Sequence, residues 1–595
     1  MPIKKDDNYQ VNENKRWFQK WWPESVPKNT NFEKKTINDM LDEQVEKYRD
    51  RNIIWFLETW VTYGEFHEYV KKLATALHDL GIRKGDVVAM HLPNSIQYVV
   101  GYYAITRIGA IASGINPTYQ PMEILHQLDI IKPKALIVLD ALYEPYIKPI
   151  IEKSGVEILI YTNVADLAHG LGIKRALGKL LKKIPSGKVD HPGAIKFMDL
   201  MKTKPNVPKV EFDVKTHPVT YIMTGGTTGL PKAAVLSHFN AVSNAHQCML
   251  WLGGEQPGMG SIGVLPLFHS FAHTVVMNTC INYGGWMMLF PKPPSTEELL
   301  ETIEELPSPE GLVYAGAEIL FKRLAEFEEI NEYPGVMGKL KLCVSGAGPL
   351  HRPVRDAFVE NTGGRIVEGY GLTESTPVVS AGNLFGESPI GTIGMPVPGT
   401  EWGIWPVDEF SDPICLGNPD DTNFGEEHTG EICVHGPQVM FEYLKKIDET
   451  EDTIKEYNGK LWLRTGDIGF MNEDGTIEIR DRKKQLIKYK GYSVYPKEVE
   501  ELLMKHPEIS EAAVAGIPHS EFGEAVKAWI ELTPGSSLNV EEIKKWAEDN
   551  MTHYKRPYYI EIIPEVPKDL IGKVQRRILQ INDPLYKDKY GEPEE

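Results

Sequence analysis

The sequence predicts an α/β protein with a large first domain of two α/β subdomains plus a β-rich subdomain, and a small mobile α+β C-terminal domain. Short apolar runs, DVVAMHL, ALIVLD and VEILIY, alternate with segments of helical periodicity such as TINDMLDEQVEKY and FHEYVKKLATALHDLGI. Such alternation is typical of helices packed around a largely parallel sheet. After about Gly394 the pattern changes to short strands with turn signals, GEICVHG, LWLRTGDIGFM and GTIEIRDR, which predict the β-rich subdomain.

The domain boundaries follow from these changes of pattern. Residues 1–32 are polar and aromatic and predict a tail that wraps the surface. Residues 33–483 form the predicted large domain, whose β-rich part covers about 394–483. A hinge is expected near 481–485. Residues 484–595 then form the predicted small mobile domain, with a hairpin-like strand pair, a helix, another strand and a later helix near Val540–Asn550.

Composition excludes several classes of protein. The chain has 595 residues and a net charge of −19, with 64 basic and 83 acidic residues. That balance argues against a general nucleic-acid binder. Five scattered cysteines without a CxxC pair predict small buried side chains in a reducing compartment. No apolar run resembles a secretory signal or a membrane-spanning helix, so we expect a cytoplasmic protein, at most peripheral at the inner membrane face.

A glycine- and threonine-rich stretch, YIMTGGTTGLPKAAVLSH, runs from Tyr221 to His238. Glycine amides and threonine hydroxyls can surround a polyphosphate, and a lysine can neutralise its charge. A surface turn is the alternative interpretation. The stretch is neither GxxxxGK[ST] nor GxGxxG, because Leu230 and Pro231 separate Gly229 from the lysine.

Four further motifs follow in the chain: GYGLTES, LRTGDIG, RDRKKQLIKYKGY and GKVQRR. With these five motifs in this order, the chain resembles the adenylate-forming superfamily of acyl-CoA synthetases, luciferases and peptide-synthetase adenylation domains. The resemblance covers nearly the whole chain. Departures are Ala233 after Pro-Lys, Gln485 in place of a common acidic residue after the hinge, and the lead-in PKDLIGKVQRR. None of them removes a group that carries chemistry.

The resemblance implies residues for binding ATP and Mg²⁺. The phosphate loop would comprise Thr224, Gly225, Gly226, Thr227, Thr228, Gly229 and Lys232. The remaining nucleotide contacts would be Gly346, Ala347, Glu368, Gly369, Tyr370, Gly371, Thr373, Asp467 and Arg482. Tyr370 would stack on adenine, Thr373 would touch the α-phosphate, and Asp467 and Arg482 would hold the ribose. Glu374 and Thr228 would hold Mg²⁺, which prefers oxygen ligands.

The resemblance also implies a reaction in two steps. A carboxylate attacks the α-phosphate of ATP, and a thiol, usually coenzyme A, then displaces AMP from the acyl-adenylate. Because the nucleophile is already ionised, the first step needs positioning and charge neutralisation rather than a general base. Lys573 in GKVQRR would bridge the carboxylate and the α-phosphate. Lys484 would be the pivot that lets Lys573 leave, and Gly491 would let pantetheine pass close to the backbone.

The segment LPLFHSFAHT points to the acid. In the family, the histidine at the position of His269 lies near the acyl-adenylate, and His273 occupies a position that gates the fatty-acid tunnel in some members. Ordinary packed histidines are the alternative. Gly346, Ala347 and Gly348 would line the acyl channel, where small residues leave room for an alkyl chain.

Residues 173–184 combine apolar and basic side chains at helical spacing. These are Ile173, Leu177, Leu180, Leu181 and Ile184, with Lys174, Arg175, Lys179, Lys182 and Lys183 among them. A basic amphipathic helix is typical of an element on an anionic membrane surface, and a helix packed on the core is the alternative. The stretch also resembles an insertion in bacterial long-chain fatty acyl-CoA synthetases.

Together these features predict a medium- or long-chain fatty acid–CoA ligase with ATP, Mg²⁺ and coenzyme A as co-substrates and cofactors. An aryl- or other organic-acid CoA ligase remains open, as does a stand-alone adenylation enzyme that loads a carrier protein. A non-catalytic lipid- or nucleotide-binding relative is the rival from another class, and the presence of Lys573, Glu374 and Asp467 argues against it. A homodimer is also left open.

Overall fold

The computed structural model describes residues 9–172, 184–224, 231–489, 492–569 and 574–590. Within these ranges its strands form four sheets, and its helices pack between and around them. The α-helices longer than one turn are Ile37–Tyr48, Tyr63–Asp79, Ile96–Arg107, Pro121–Ile131, Phe197–Leu200, His238–Trp251, Thr279–Asn282, Thr296–Glu305, Glu318–Ala325, Arg352–Thr362, Ile447–Thr453, Pro496–Leu503, Val540–Asn550, Arg576–Asn582 and Pro584–Tyr590.

The first sheet is parallel in its centre and antiparallel at both edges. Its strands, in spatial order, are Met395–Pro396, Val378–Ala381, Arg365–Gly371, Leu340–Ser345, Leu312–Gly316, Gly260–Gly263, Trp286–Leu289, Asn52–Phe56 and Thr59–Thr62. The parallel strands are short and apolar because both faces of the sheet are covered.

The second sheet is parallel except for two strands at one edge. Its strands, in spatial order, are Glu442–Tyr443, Lys232–Ser237, Pro218–Thr224, Ile111–Gly114, Val87–His91, Ala135–Leu139, Ile158–Thr162 and Ile195–Lys196. Helices Ile96–Arg107 and His238–Trp251 are buried on nearly every side, and one core cluster joins them to both sheets. Such all-round burial identifies them as the layer between the two sheets.

The third and fourth sheets are mainly antiparallel and lie later in the chain. The third contains Glu401–Trp405, Gly430–His435, Lys460–Met471 and Ile454–Tyr457, with Ile477–Arg482 paired to Lys460–Met471. The fourth contains Tyr492–Val494, Ile487–Tyr489, Gly523–Leu532 and Ile509–His519, with Tyr559–Ile562 paired to Gly523–Leu532. The α/β fold class with a large first domain and a smaller C-terminal one is thereby confirmed.

The described part of the predicted tail, residues 9–32, packs against the large domain. Trp17 is fully buried, and its ring meets Trp402 edge to face at 6.2 Å between centroids. The Lys15 ammonium donates to the Leu416 carbonyl at 2.7 Å. The indole of Trp21 donates to Asp474 at 2.6 Å. The tail aromatics therefore complete the hydrophobic core against the third sheet, because burying them removes large apolar surfaces from water.

All five cysteines are free and buried, as their scattered spacing predicted. Burial raises the pKa of each thiol, to about 12 for Cys248 and Cys280. Among the described residues, no helix has the length and apolar character needed to cross a membrane.

Candidate active site

Two neighbouring parallel strands deliver the predicted adenine and acyl residues to one edge of the first sheet. Strand Leu340–Ser345 leads into Gly346, and its neighbour Arg365–Gly371 leads into the short helix Thr373–Ser375. Their carboxyl ends meet because the strands are parallel, and this is where open α/β sheets bind ligands. The structure therefore brings together two motifs that lie apart in the sequence.

Asp467 organises the predicted ribose site. The Tyr370 hydroxyl donates to its Oδ2 at 2.6 Å, and Nε of Arg482 donates to its Oδ1 at 3.0 Å. Asp467 and Arg482 face each other across the antiparallel strands of the third sheet. The buried Asp467 carboxylate raises the pKa of Arg482, and burial raises that of Tyr370. Each carboxylate oxygen still has a second lone pair with which to accept a hydroxyl.

Lys232 and Glu374 are linked through Tyr443, a residue that no sequence motif singled out. The Tyr443 hydroxyl donates to Oε1 of Glu374 at 2.6 Å, and the Lys232 ammonium lies 4.9 Å from the centre of the Tyr443 ring. Lys232 also forms an ion pair with Glu449, which lowers the pKa of that carboxyl. Tyr443 reaches this position because its strand pairs with Lys232–Ser237, a long-range contact without a local signal.

The ends of the predicted phosphate loop are adjacent, since Thr224 and Lys232 are register partners on antiparallel strands. The carboxylate of Glu374 also lies near enough to contribute to the raised pKa of Arg482. The predicted phosphate, magnesium and ribose residues described so far therefore lie near one another.

Thr373 lies beside the segment that carries the two candidate histidines. Its hydroxyl is 3.2 Å from that of Ser270, and the Thr274 hydroxyl donates to the Thr376 carbonyl at 2.7 Å. His269 is half-buried, and its Nδ1 accepts from the Phe271 amide at 3.4 Å. The reaction centre predicted at Thr373 thus adjoins the predicted acyl side.

The glycines after Leu340–Ser345 differ in the space around them. A Cβ on Gly346 would lie 2.9 Å from the ring of Phe271, whereas one on Gly348 would meet nothing within 4 Å. Ala347 has a φ of +66°, which a side chain adopts only at some cost. On the neighbouring strand, a Cβ on Gly369 would touch Val344, and one on Gly371 would strike the Pro377 carbonyl. Gly346, Gly369 and Gly371 are thus required for close packing.

His273 is buried and lies edge to face with Tyr102, at 4.5 Å between ring centroids. Burial lowers its pKa to about 4, so the imidazole is neutral near pH 7. Burial also disfavours the charged form of Glu368, and because that form is an anion, the pKa of the carboxyl is raised to about 7. The Leu350 amide donates to Glu368 at 3.2 Å.

The residues before and after the predicted hinge residue Lys484 contact different domains. Lys483 contacts the Val407 carbonyl and lies 3.5 Å from Glu431, both in the large domain. Gln485 accepts from Arg576 in the small domain at 3.3 Å. Lys484 between them is exposed.

Several predicted site residues lie outside the described residues. These are Gly225, Gly226, Thr227, Thr228, Gly229, Gly491 and Lys573. Their roles stay predictions.

The donor set near Glu374 fits Mg²⁺. Protein magnesium sites usually use one or two carboxylates together with substrate phosphates and water. Glu374 offers one carboxylate beside the phosphate residues, and the described residues contain no cluster of three or more potential metal ligands. Such a site suits an ion that arrives with its nucleotide.

Comparison with known families agrees with this geometry. Residues 41–444 match the AMP-binding enzyme model, and residues 498–573 match the model of the AMP-binding enzyme C-terminal domain. The chain belongs to the AMP-binding enzyme family. The first model spans more than half of the chain, and the second lies within the small domain.

Full-length relatives of this AMP-binding enzyme are named fatty-acid ligases. The chain is 33% identical to a long-chain-fatty-acid–CoA ligase of Bacillus subtilis, over 95% of this chain and 97% of the relative. It is 32% identical to one from Escherichia coli O157:H7, over 95% and 98%. The solved structure of ATP-bound MatB from Rhodopseudomonas palustris matches with a TM-score of 0.75 at 23% identity, covering 93% of this chain and 100% of MatB. That likeness shows the fold.

Proposed function

We propose that this enzyme ligates a medium- or long-chain fatty acid to coenzyme A at the expense of ATP, releasing AMP and pyrophosphate. The observation that carries the proposal is the Tyr443 bridge, which joins Lys232 of the phosphate loop to Glu374 of the magnesium motif. Full-length similarity to two long-chain-fatty-acid–CoA ligases supports the choice of acid.

The first step is adenylation of the fatty acid. Lys232 would exchange its ion pair with Glu449 for the nucleotide phosphates, and Glu374 would hold the Mg²⁺ that neutralises them. Asp467 and Arg482 would fix the ribose, and Thr373 would face the α-phosphate. The fatty carboxylate is ionised near pH 7 and attacks without a base. Lys573 would stabilise the charge that develops between carboxylate and phosphate.

The second step needs Lys573 to leave, so that a thiol can reach the acyl-adenylate. We assign the swing to Lys484, because the residue before it is held by the large domain and the residue after it by the small domain. Rotation at one exposed residue would leave both sets of contacts intact.

Pyrophosphate release with a series of acids, in the presence and absence of coenzyme A, tests the proposal. We expect kcat/KM to rise by several-fold for each pair of added carbons, at about 0.8 kcal/mol per buried methylene, and then to fall where the channel ends. Acetate and benzoate should be poor substrates. An optimum at either of them would refute the fatty-acid assignment but leave the adenylation chemistry standing.

We further propose peripheral contact with anionic membranes through residues 173–184. All but Ile184 lie outside the described residues, and Ile184 packs against the core, so that one end of the segment is attached to the body. Each basic residue near an anionic surface contributes about 1 kcal/mol. Reversing Lys179, Lys182 and Lys183 to glutamate should release the enzyme from anionic vesicles, whereas a wild-type enzyme that ignores such vesicles would refute the contact.

A further inference from the structure

An acidic side chain occupies the lysine of the predicted phosphate loop. Glu449 lies on the helix Ile447–Thr453, and one oxygen of its carboxylate forms an ion pair with Lys232. The other oxygen lies 3.3 Å from the ammonium of Lys446. The hydrogen bond from Lys232 holds the pKa of Glu449 below its ordinary value, so the carboxylate is an anion near pH 7. Lys232 is therefore neutralised before any phosphate arrives.

The fold keeps Glu449 beside this lysine. The strand Glu442–Tyr443 pairs with the strand Lys232–Ser237, and the helix that carries Glu449 begins a few residues later. The Tyr443 amide donates to the Thr450 hydroxyl at 3.0 Å, which ties the helix back to its strand. Because Glu449 directly precedes Thr450, its carboxylate has a high effective concentration at the lysine. An anion from solution must compete with it.

The ion pair is open enough to be exchanged. The side chains of Lys232 and Glu449 are 26% and 34% exposed. Water and salt screen pairs of this exposure, so they contribute little to stability. When Lys232 turns to a ligand, Glu449 keeps its contact with Lys446, and its charge stays paired. A polyphosphate, which carries more negative charge than one carboxylate, can therefore displace Glu449 at a small cost.

This cost depends on which phosphates a ligand carries. ATP and pyrophosphate both carry phosphates that the predicted loop and Lys232 would bind. AMP carries only the α-phosphate, which the family resemblance assigns to Thr373. A ligand binds more weakly by the fraction of time for which its site is free. Glu449 should therefore weaken the binding of ATP and pyrophosphate and leave the binding of AMP unchanged.

We propose that Glu449 is an internal competitor for Lys232, which sets how tightly the enzyme holds ATP and how readily it releases pyrophosphate. This inference rests on the proposed function and adds to it a residue that distinguishes ATP and pyrophosphate from AMP. After adenylation, Glu449 returns to Lys232 as pyrophosphate leaves. Reversal of the first step needs pyrophosphate at this position, so the returning carboxylate favours the forward reaction.

The test measures the binding of ATP, pyrophosphate and AMP separately, each with Mg²⁺ and without acid or coenzyme A. Glu449→Gln keeps the shape of the side chain and removes its charge. From the weakness of partly exposed ion pairs, we expect ATP and pyrophosphate to bind about two- to fivefold tighter, and AMP to bind as before. Pyrophosphate should then inhibit thioester formation at a correspondingly lower concentration.

Glu451→Gln is the matched control. It removes the same charge from an exposed position on the same helix, and so accounts for the general effect of a less negative surface. A Lys232→Met background provides a second control, in which Glu449→Gln should no longer tighten ATP binding, because the carboxylate has no lysine to occupy.

The sign of the change decides between competition and support. Weaker ATP binding in Glu449→Gln would show that Glu449 holds Lys232 in place for the nucleotide, and would overturn the inference. Equal tightening in Glu451→Gln, tightening of AMP by the same factor, or tightening that persists in the Lys232→Met background would overturn it too. Adenylation of fatty acids by the wild type is assayed separately. Its absence would refute the proposed function, while the binding comparison would still decide the role of Glu449.

Discussion

The predicted nucleotide side and the predicted acyl side of the site differ in how their polar groups are held in place. On the nucleotide side, Asp467 already binds Tyr370 and Arg482, and Lys232 already binds Glu449. On the acyl side, burial and packing rather than ion pairs hold His273 and Tyr102, whose rings lie edge to face at 4.5 Å between centroids. The first arrangement fixes the positions of charged groups, although Lys232 must exchange Glu449 for the phosphates when ATP binds. The second arrangement makes the choice of acid depend on the space that packed side chains leave.

The largest expected effect concerns Lys573, which belongs to neither the nucleotide side nor the acyl side. Lys573→Ala should slow adenylation by about 10²–10³, the effect of removing one positioned group that stabilises developing charge. Transfer from a supplied acyl-adenylate to coenzyme A should be largely retained. Separate assays of pyrophosphate release and of thioester formation from the adenylate test this. Lys568→Ala, which removes a lysine paired with Glu511, is the control. Equal loss of both steps in the Lys573 variant contradicts its role.

Lys484, the predicted hinge, should affect thioester formation but not adenylation. Lys484→Pro should spare adenylation and reduce thioester formation by about tenfold or more, because a fixed φ blocks rotation between two domain positions. Lys484→Ala removes the same charge without fixing φ, and should leave both steps near the wild-type rate. A proline variant with normal thioester formation would place the pivot elsewhere.

On the nucleotide side, Asp467→Asn should raise the KM for ATP by about ten- to hundredfold. It replaces charge-assisted hydrogen bonds, each worth about 1.5–3 kcal/mol, and weakens the hold on Arg482. The dependence of pyrophosphate release on ATP concentration measures the change. Glu426→Gln serves as the control. It breaks the ion pair between Glu426 and Arg480, which is more exposed than that between Asp467 and Arg482, and Arg480 lies on the same strand as Arg482. An unchanged KM in the Asp467 variant would remove Asp467 from the nucleotide site.

The free energy of unfolding should depend on pH through Glu368, because burial raises the pKa of its carboxyl. The folded pKa of Glu368 is about 7, above its ordinary value of 4.5. Between these values the unfolded chain binds fewer protons, so the free energy of unfolding falls as pH rises. Glu368→Gln should remove about 2–3 kcal/mol of this fall between pH 4.5 and 7. Unfolding midpoints across that pH range test it, with the exposed Glu360→Gln as control. A parallel pH dependence in wild type and variant would count against the raised pKa.

The smallest effect is expected on the acyl side. Gly346→Ala forces the Phe271 ring to move, because the new Cβ would lie 2.9 Å from it. If the channel shortens by two methylenes, kcat/KM for the longest good substrate should fall about tenfold, at ~0.8 kcal/mol each. Gly348→Ala is the control, since its Cβ meets nothing within 4 Å. A chain-length series on both variants decides, and identical optima would exclude Gly346 from the channel wall.

The sequence by itself determined the fold class, several of the helices and the order of the motifs. Ile37, Met40, Leu41 and Val45 recur at helical spacing and are buried on one helix face, and Val540–Asn550 is a helix as its pattern predicted. These features depend on neighbours within a few turns, so local periodicity is enough to reveal them.

Only the tertiary structure decided which distant groups meet. Tyr443 joins Lys232 to Glu374 through strand pairing across about two hundred residues, and Trp17 completes the core against the third sheet. His273 and Asn278 on one helical segment likewise meet Tyr102 on another helix. Such contacts are set by how sheets and helices pack. A side chain's local sequence says that it is polar or apolar, but not which partner burial will give it or withhold from it.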